Sequence, residues 1–266
     1  MASHMCNSCT DIKLVSFNMH GFYQGLVVVQ DLINTENPDI ILLQEHWLTP
    51  DNLSKFEHHV SNYYSFGSSA MTTCVQSGML RGRPYGGVIT LVKKDLRAYT
   101  QTVHCDERYV IIRVANYLIV IVYFPCVGSN DRLFICDDIV MNISVWRDRF
   151  LDCKLVIAGD FNVDLEKSND AIANCITAFA ESCCLSRLDI LFPDQSVSTY
   201  VNAALGHESR IDYMLSSCAG DVTSFAVVDP DIHFSDHLPL LAVINTRSTT
   251  PAFLVSKAKT SLYRTS

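Results

Sequence analysis

The sequence predicts an α/β domain in which two mixed β-sheets pack face to face with helices outside. Three observations lead there. Short apolar β segments recur along most of the chain, only a few helical stretches interrupt them, and 266 residues at 48% hydrophobic suffice for one sizeable core.

The elements follow in order. Residues 1–10 read as a cloning remnant, Met1 to Met5, and a lead-in. Asp11–Asn18 alternates as a strand and breaks at Gly21. Leu26, Val29, Leu32 and Ile33 have helical spacing, predicting a helix over 25–36 that Asn37-Pro38 ends. The unbroken apolar run 39–44 suits a strand buried on both faces. Residues 49–84, rich in Ser, Gly and Thr, are expected as a long surface excursion. Strands are then predicted over 87–92, 98–103, 110–114 and 117–124, the last two joined by a turn at Asn116. Helical spacing over 131–151, an apolar strand over 154–158 and a helix over 169–184 come next. Three β segments, 198–201, 211–215 and 238–244, close a domain spanning 11–245, and 246–266 reads as a basic tail or linker. Between the first two of these segments Gly206 is the natural turn residue, so a hairpin is expected over 199–210.

Composition excludes several classes. The apolar runs fall far short of the roughly 20 residues that a membrane helix needs, and no secretory signal is evident, so a soluble, intracellular, non-membrane protein is expected. Eleven cysteines, an odd number, point to reduced thiols; Cys6 and Cys9 form a CxxC that no second pair answers. Net charge is −8, distributed as −12 over the body and +4 over 246–266, where Arg247, Lys257, Lys259 and Arg264 stand without an acid. A broadly basic nucleic-acid-binding surface is thereby excluded, whereas an acidic body that gathers a divalent cation is not.

The chemistry-bearing residues stand where apolar strands stop. Asn18 ends the first strand, Glu45 follows Gln44, and Asp160 and Asn162 follow 156–158. Asp212 lies within 211–215, and Asp236-His237 precedes the last strand. Strand ends of packed sheets gather on one rim. Glu, Asp, Asn and His on such a rim meet the needs of metal-assisted phosphodiester hydrolysis: hard oxygen ligands, a carboxylate to take a proton from water, and a cation for the developing phosphorane charge. Each piece alone has an ordinary reading. Gly159-Asp160-Phe161-Asn162 can be a turn, Glu45 a solvated strand end, Ser235-Asp236-His237 a polar turn, and Asp212 a buried acid paired with Arg210 or Arg108.

Taken together, Ser16-Phe17-Asn18, Leu43-Gln44-Glu45, Tyr123-Phe124-Pro125, Gly159-Asp160-Phe161-Asn162, Arg210-Ile211-Asp212-Tyr213 and Ser235-Asp236-His237-Leu238-Pro239 resemble the exonuclease, endonuclease and phosphatase superfamily. The phrases LLQEHWL, GGVITLVKK, VIAGDFN and RIDYML are most similar to the apurinic-like endonuclease domain of non-LTR, LINE-type retrotransposons. The resemblance implies a deoxyribonuclease-like four-layer α/β sandwich. It also implies nicking of duplex DNA with Mg²⁺, or Mn²⁺ in its place, to leave a 3′-hydroxyl for target-primed reverse transcription. The implied partners are duplex DNA and a reverse-transcriptase domain of the same polyprotein, in a nuclear, monomeric protein.

Carried over by residue, Glu45 is the main metal ligand, with Asn18 beside it and Asp236 serving the metal or the leaving oxygen. Asp160 aligns or deprotonates water, Asn162 holds the scissile phosphate or that water, and Tyr123 hydrogen-bonds a phosphate oxygen. His237 meets the phosphate as a cation kept charged by Asp212. Thr199, Tyr200, His20 and Arg210 are the expected DNA-facing positions. One departure is His20, where abasic-site repair enzymes of the superfamily carry an acid, which lowers the expectation of abasic-site cleavage. The Trp-Cys-Asp-Arg motif of inositol polyphosphate phosphatases is absent, and GDFN stands where tyrosyl-DNA phosphodiesterases favour GDTN. A repair phosphodiesterase or phosphatase of the superfamily, or an inactive binding module, is the alternative.

Overall fold

The structure, a computed structural model, describes residues 11–78, 82–167, 169–193, 198–202, 206–232 and 234–246. The tail from 247, Cys6 and Cys9, and the tip of the expected hairpin, 203–205, lie outside them. In chain order the elements begin with β1 (Asp11–Asn18), α1 (Phe22–Thr35), β2 (Ile40–Gln44), α2 (Lys55–His59), β3 (Tyr63–Ser68), α3 (Thr72–Gln76) and β4 (Val88–Lys93). They continue as β5 (Thr100–Cys105), β6 (Tyr109–Val114), β7 (Tyr117–Tyr123), α4 (Arg132–Arg149), β8 (Lys154–Asp160) and α5 (Ala171–Ser182). Last come β9 (Ser186–Arg187), α6 (Leu188–Leu191), β10 (Tyr200–Asn202), β11 (His207–Ser209), β12 (Asp212–Ser216), β13 (Val222–Val227) and β14 (Leu240–Asn245).

Two six-stranded sheets result, ordered β13-β14-β1-β2-β4-β3 and β5-β6-β7-β8-β12-β9. Each holds one parallel pair, β1 with β2 and β7 with β8, and its other pairs are antiparallel. A parallel pair needs a crossover long enough to return the chain, and α1 and α4 supply them. Strand alternation then divides the apolar residues. Ile40 and Leu42 enter the layer between the sheets with Leu14, Val88, Ile112, Ile121 and Val156. Ile41 and Leu43 point the other way, onto Leu26, Val29 and Leu32 of α1 and Phe56 of α2. The outer face of the second sheet, with Val120 and Ile157, is covered by Ile139 and Ile143 of α4 and Ile176 of α5. Burial on both faces is why 39–44 shows no polar alternation.

Several expectations are corrected. The stretch 49–84 contains α2, α3 and β3, an edge strand paired with β4. Its sequence YYSFGS buries only Tyr63 fully, so it has no two-sided apolar signal. β13 was also outside the expected set; a register shift between Val222 and Ser224 breaks the period of two. α1 starts at Phe22, three residues before the expected helix. β8 runs on through Asp160, so Gly159 is a strand residue. Any Cβ at Gly159 would overlap the carbonyl oxygen of Val122 on β7, so glycine permits the parallel pairing there. The hairpin is formed as expected, with Tyr200, Val201 and Asn202 opposite Ser209, Glu208 and His207. No helix among the described residues is long and apolar enough to cross a membrane, and the nine cysteines described are free thiols.

Candidate active site

β1, β2, β7 and β8 end at one rim. Their antiparallel partners begin there, with Asp212 of β12 directly opposite Asp160 of β8. The rim borders an open cavity of about 380 Å³ whose lining includes His20, Glu45, Asn162, Tyr200, Asp236 and His237.

Asn18, fully buried at the end of β1, stitches the two sheets together. Its Nδ2 donates to Glu45 Oε1 at 3.1 Å and to Asp160 Oδ2 at 2.9 Å, and its Oδ1 accepts the His20 N–H at 3.1 Å. Asp160 also accepts from Asn162, by the backbone N–H at 2.8 Å and the side-chain amide at 3.1 Å. Asn162 achieves this in a left-handed conformation, φ 52°, which the side-chain bonds of asparagine tolerate. Its Nδ2 donates to Phe124 O as well, at 2.9 Å. Burial, then the facing Asp212, push the Asp160 carboxyl above the usual carboxylate range.

His237 is almost wholly buried, with Nδ1 2.9 Å from Asp212 Oδ2 and Nε2 3.9 Å from Asp160 Oδ2. Burial alone would lower its pKa, but Asp212 and Asp160 outweigh that and raise it to about 10, so the imidazolium is the form present at neutral pH. Ser235 fixes the loop that carries it: its Oγ donates to Asn18 O at 2.8 Å and accepts the His237 N–H at 3.1 Å. Asp236 pairs with His20 at 3.0 Å, which raises the His20 pKa; burial opposes ionisation of Asp236, but His20 and His237 hold it below the usual range. At the end of β7, Tyr123 is held well above the usual phenol range by burial, with Glu45 and Asp160 adding to the effect.

The expected DNA-facing residues divide. His20 and Tyr200 line the cavity, the Tyr200 ring lying edge-on to His237 at 5.0 Å. Thr199 is buried, and its Oγ1 accepts the N–H groups of Ile211 at 3.1 Å and Asp212 at 3.0 Å. Arg210 donates to the buried Asp189 at 3.0 Å, and Arg108 lies over the Tyr123 ring. The pairing of Asp212 with either arginine is thus corrected: its partner is His237. Three contributors carry roles that the sequence did not assign to them. Ser235 acts as described; Trp47 donates from Nε1 to Glu45 Oε2 at 3.0 Å; Arg132 donates to Pro125 O at 2.9 Å and Asn162 O at 2.6 Å, clasping two loops of the rim. Trp47 lies two residues beyond Glu45, and that spacing was the available signal; Arg132 gave none.

Ligand atoms of Asp160, Asp212 and His237 lie within 4.8 Å of one another, which marks a possible metal group. The short Asp212–His237 pairing already occupies those two side chains, whereas Glu45 and Asp236 open on the cavity. The oxygen donors of Glu45, Asp236 and Asn18 fit a hard divalent cation.

The sequence pattern of the Endonuclease/Exonuclease/phosphatase family matches residues 15–237. No curated protein matches the chain. Among solved structures, a 3′ phosphatase from Neisseria bound to product DNA hairpin superposes with TM-score 0.65 at 18% identity, over 87% of this chain and 98% of that one. An AP endonuclease from Archaeoglobus fulgidus gives 0.66 at 16%, covering 88% and 99% of the two chains. AP endonuclease LMAP from Leishmania major gives 0.69 at 14%, covering 88% of each. At these identities the likeness concerns the fold, two packed sheets between helices, while the family pattern spans the rim residues from Asn18 to His237. On that span, the chain belongs to the Endonuclease/Exonuclease/phosphatase family.

Proposed function

We propose that the chain is a divalent-metal-dependent endonuclease that nicks one strand of duplex DNA and leaves 3′-hydroxyl and 5′-phosphate ends. The nick serves target-primed reverse transcription by a reverse-transcriptase domain of the same non-LTR retrotransposon polyprotein, acting in the nucleus as a monomer. The observation that carries the reading is the convergence on one rim of Glu45, the Asp160–Asn162 pair and the Asp212–His237 pair. DNA in one structural neighbour and AP endonuclease activity in the names of two others support DNA as the substrate.

Glu45, Asn18 and Asp236 would hold Mg²⁺, or Mn²⁺ in its place, which supplies Lewis-acid stabilisation of phosphate charge. Asp160, oriented by Asn18 and Asn162, aligns water and takes its proton. His237 presents a cation to the non-bridging oxygens, and Asp212 keeps it charged and turned. Tyr123 donates to a phosphate oxygen, and Asn162, whose amide hydrogens go to Asp160 and Phe124, accepts from the attacking water through its side-chain oxygen. His20 and Tyr200 line the path of the strand, Thr199 acts through Asp212, and Arg210, paired with Asp189, stands between the cavity-lining Ser209 and Ile211. Supercoiled plasmid tests the reading: Mg²⁺ yields open circles and EDTA none. Full activity in EDTA, or no open circles with either metal, refutes it.

A further inference from the structure

We infer that Trp47 is a positioning residue for Glu45, fixing the carboxylate that the proposed function assigns to the metal, a reading on which the inference rests. Glu45 and Trp47 both have left-handed backbone, φ 55° and 53°. Between them His46 is buried and held at both ring nitrogens: Nδ1 accepts the Leu48 N–H at 3.0 Å, and Nε2 lies 3.0 Å from Ser68 O. That conformation is costly for a residue as bulky as tryptophan, so its surroundings must impose it. The Trp47 N–H donates to Gly86 O at 3.0 Å, and its ring lies 4.8 Å from His20. The ring also abuts Gly21 so closely that a Cβ there would stand 2.7 Å from Trp47 Cε3.

The outcome is an indole N–H aimed at one carboxylate oxygen of Glu45 at 3.0 Å, while Asn18 donates to the other at 3.1 Å. Asn18 and Trp47 thus fix one oxygen each, and the Tyr123 phenol also faces this carboxylate. A carboxylate tethered at both oxygens cannot turn away, so its ordering is complete before a cation arrives. The indole N–H therefore contributes to metal affinity without touching metal or DNA.

The chain has two tryptophans, so Trp146→Phe, on α4 away from the rim, leaves Trp47 alone. In that background Trp47 is replaced by benzothienylalanine, which keeps the ring shape but has sulfur in place of N–H, and in a second protein by phenylalanine. Mn²⁺ binding is measured without DNA, by electron paramagnetic resonance of the free ion. The expected result is an affinity weakened about tenfold for the isostere, the usual effect of losing an outer-shell partner, with its unfolding temperature unchanged. An isostere that binds Mn²⁺ within about twofold of its parent overturns the inference, and it decides the matter should Trp47→Phe fail to fold. Glu45→Gln separates the two readings. If it loses Mn²⁺ while the isostere does not, only the role of Trp47 fails; if it binds like the parent, the metal assignment of Glu45 fails and the inference with it.

Discussion

Asp160 accepts hydrogen bonds from Asn18 and twice from Asn162, while His237 is gripped through Nδ1 by Asp212 and through its backbone by Ser235. Such fixed orientation is what general-base and electrostatic catalysis require. Asp160→Asn and His237→Ala should each slow nicking by about 10² or more with circular dichroism unchanged. Glu45→Ala should also be slow, but excess Mn²⁺ should partly restore it and should not restore His237→Ala. Wild-type rates in folded Asp160→Asn would refute its role. Asn18, Glu45, Asp160, Asn162, Asp212 and His237 were legible because each sits in a compact local motif at a strand end. The Ser235–Asn18 bond spans 217 residues, and Thr199 reaches Asp212 from a different strand, so neither left a local pattern. His46 makes a separate residue-scale prediction. Burial lowers its pKa from 6.5 to about 4, so between those values the unfolded chain binds a proton that the folded chain refuses. Its neutral form gives full stability above pH 6.5, and roughly 3 kcal/mol is lost as pH falls toward 4. Asp160, His20 and His237, whose folded pKa values are raised, act in the opposite sense. The loss is therefore read as the difference between parent and His46→Gln urea midpoints, which should be larger at pH 7 than at pH 4.5.

Among the elements, the central strands were legible because both faces are buried, as in IILL of β2 and YLIVIV of β7. The edge strand β3 and the bulged β13 were not, since an edge relaxes the apolar demand and a bulge resets the alternation. The β10–β11 hairpin was legible from Gly206, but its attachment was not. Val201 N–H donates to Asp236 O at 2.8 Å and Leu238 N–H to Thr199 O at 2.7 Å, so the base of the hairpin is bonded to both sides of His237. Residues 199–202 therefore hold the rim. Replacing 203–206 by Asn-Gly, which suits a two-residue hairpin turn, should keep Mg²⁺-dependent plasmid nicking and redistribute the nicks along a fixed duplex. An identical cleavage ladder would count against a role for the connection in target choice.

Over the whole molecule, charge and topology oppose each other. The fold brings several carboxylates to the rim that would meet a polyanion, and the body as a whole carries −12 against +4 in 246–266. Under the proposed function, local attraction would come from the cation, from His237, from local Lys and Arg side chains and from the basic tail. Removing 247–266 should weaken DNA binding and flatten its salt dependence while leaving the rate at saturating DNA in place; an unchanged salt slope would make the tail a linker only. Under the proposed function the nick must present a 3′-hydroxyl, because reverse transcription starts only from one. The most direct measurement nicks supercoiled plasmid with Mg²⁺ and offers the purified open circles to a polymerase lacking 3′-exonuclease activity, with and without prior phosphatase. The expected result is equal extension of both samples from single-strand nicks; extension only after phosphatase treatment would show 3′-phosphate ends and contradict it.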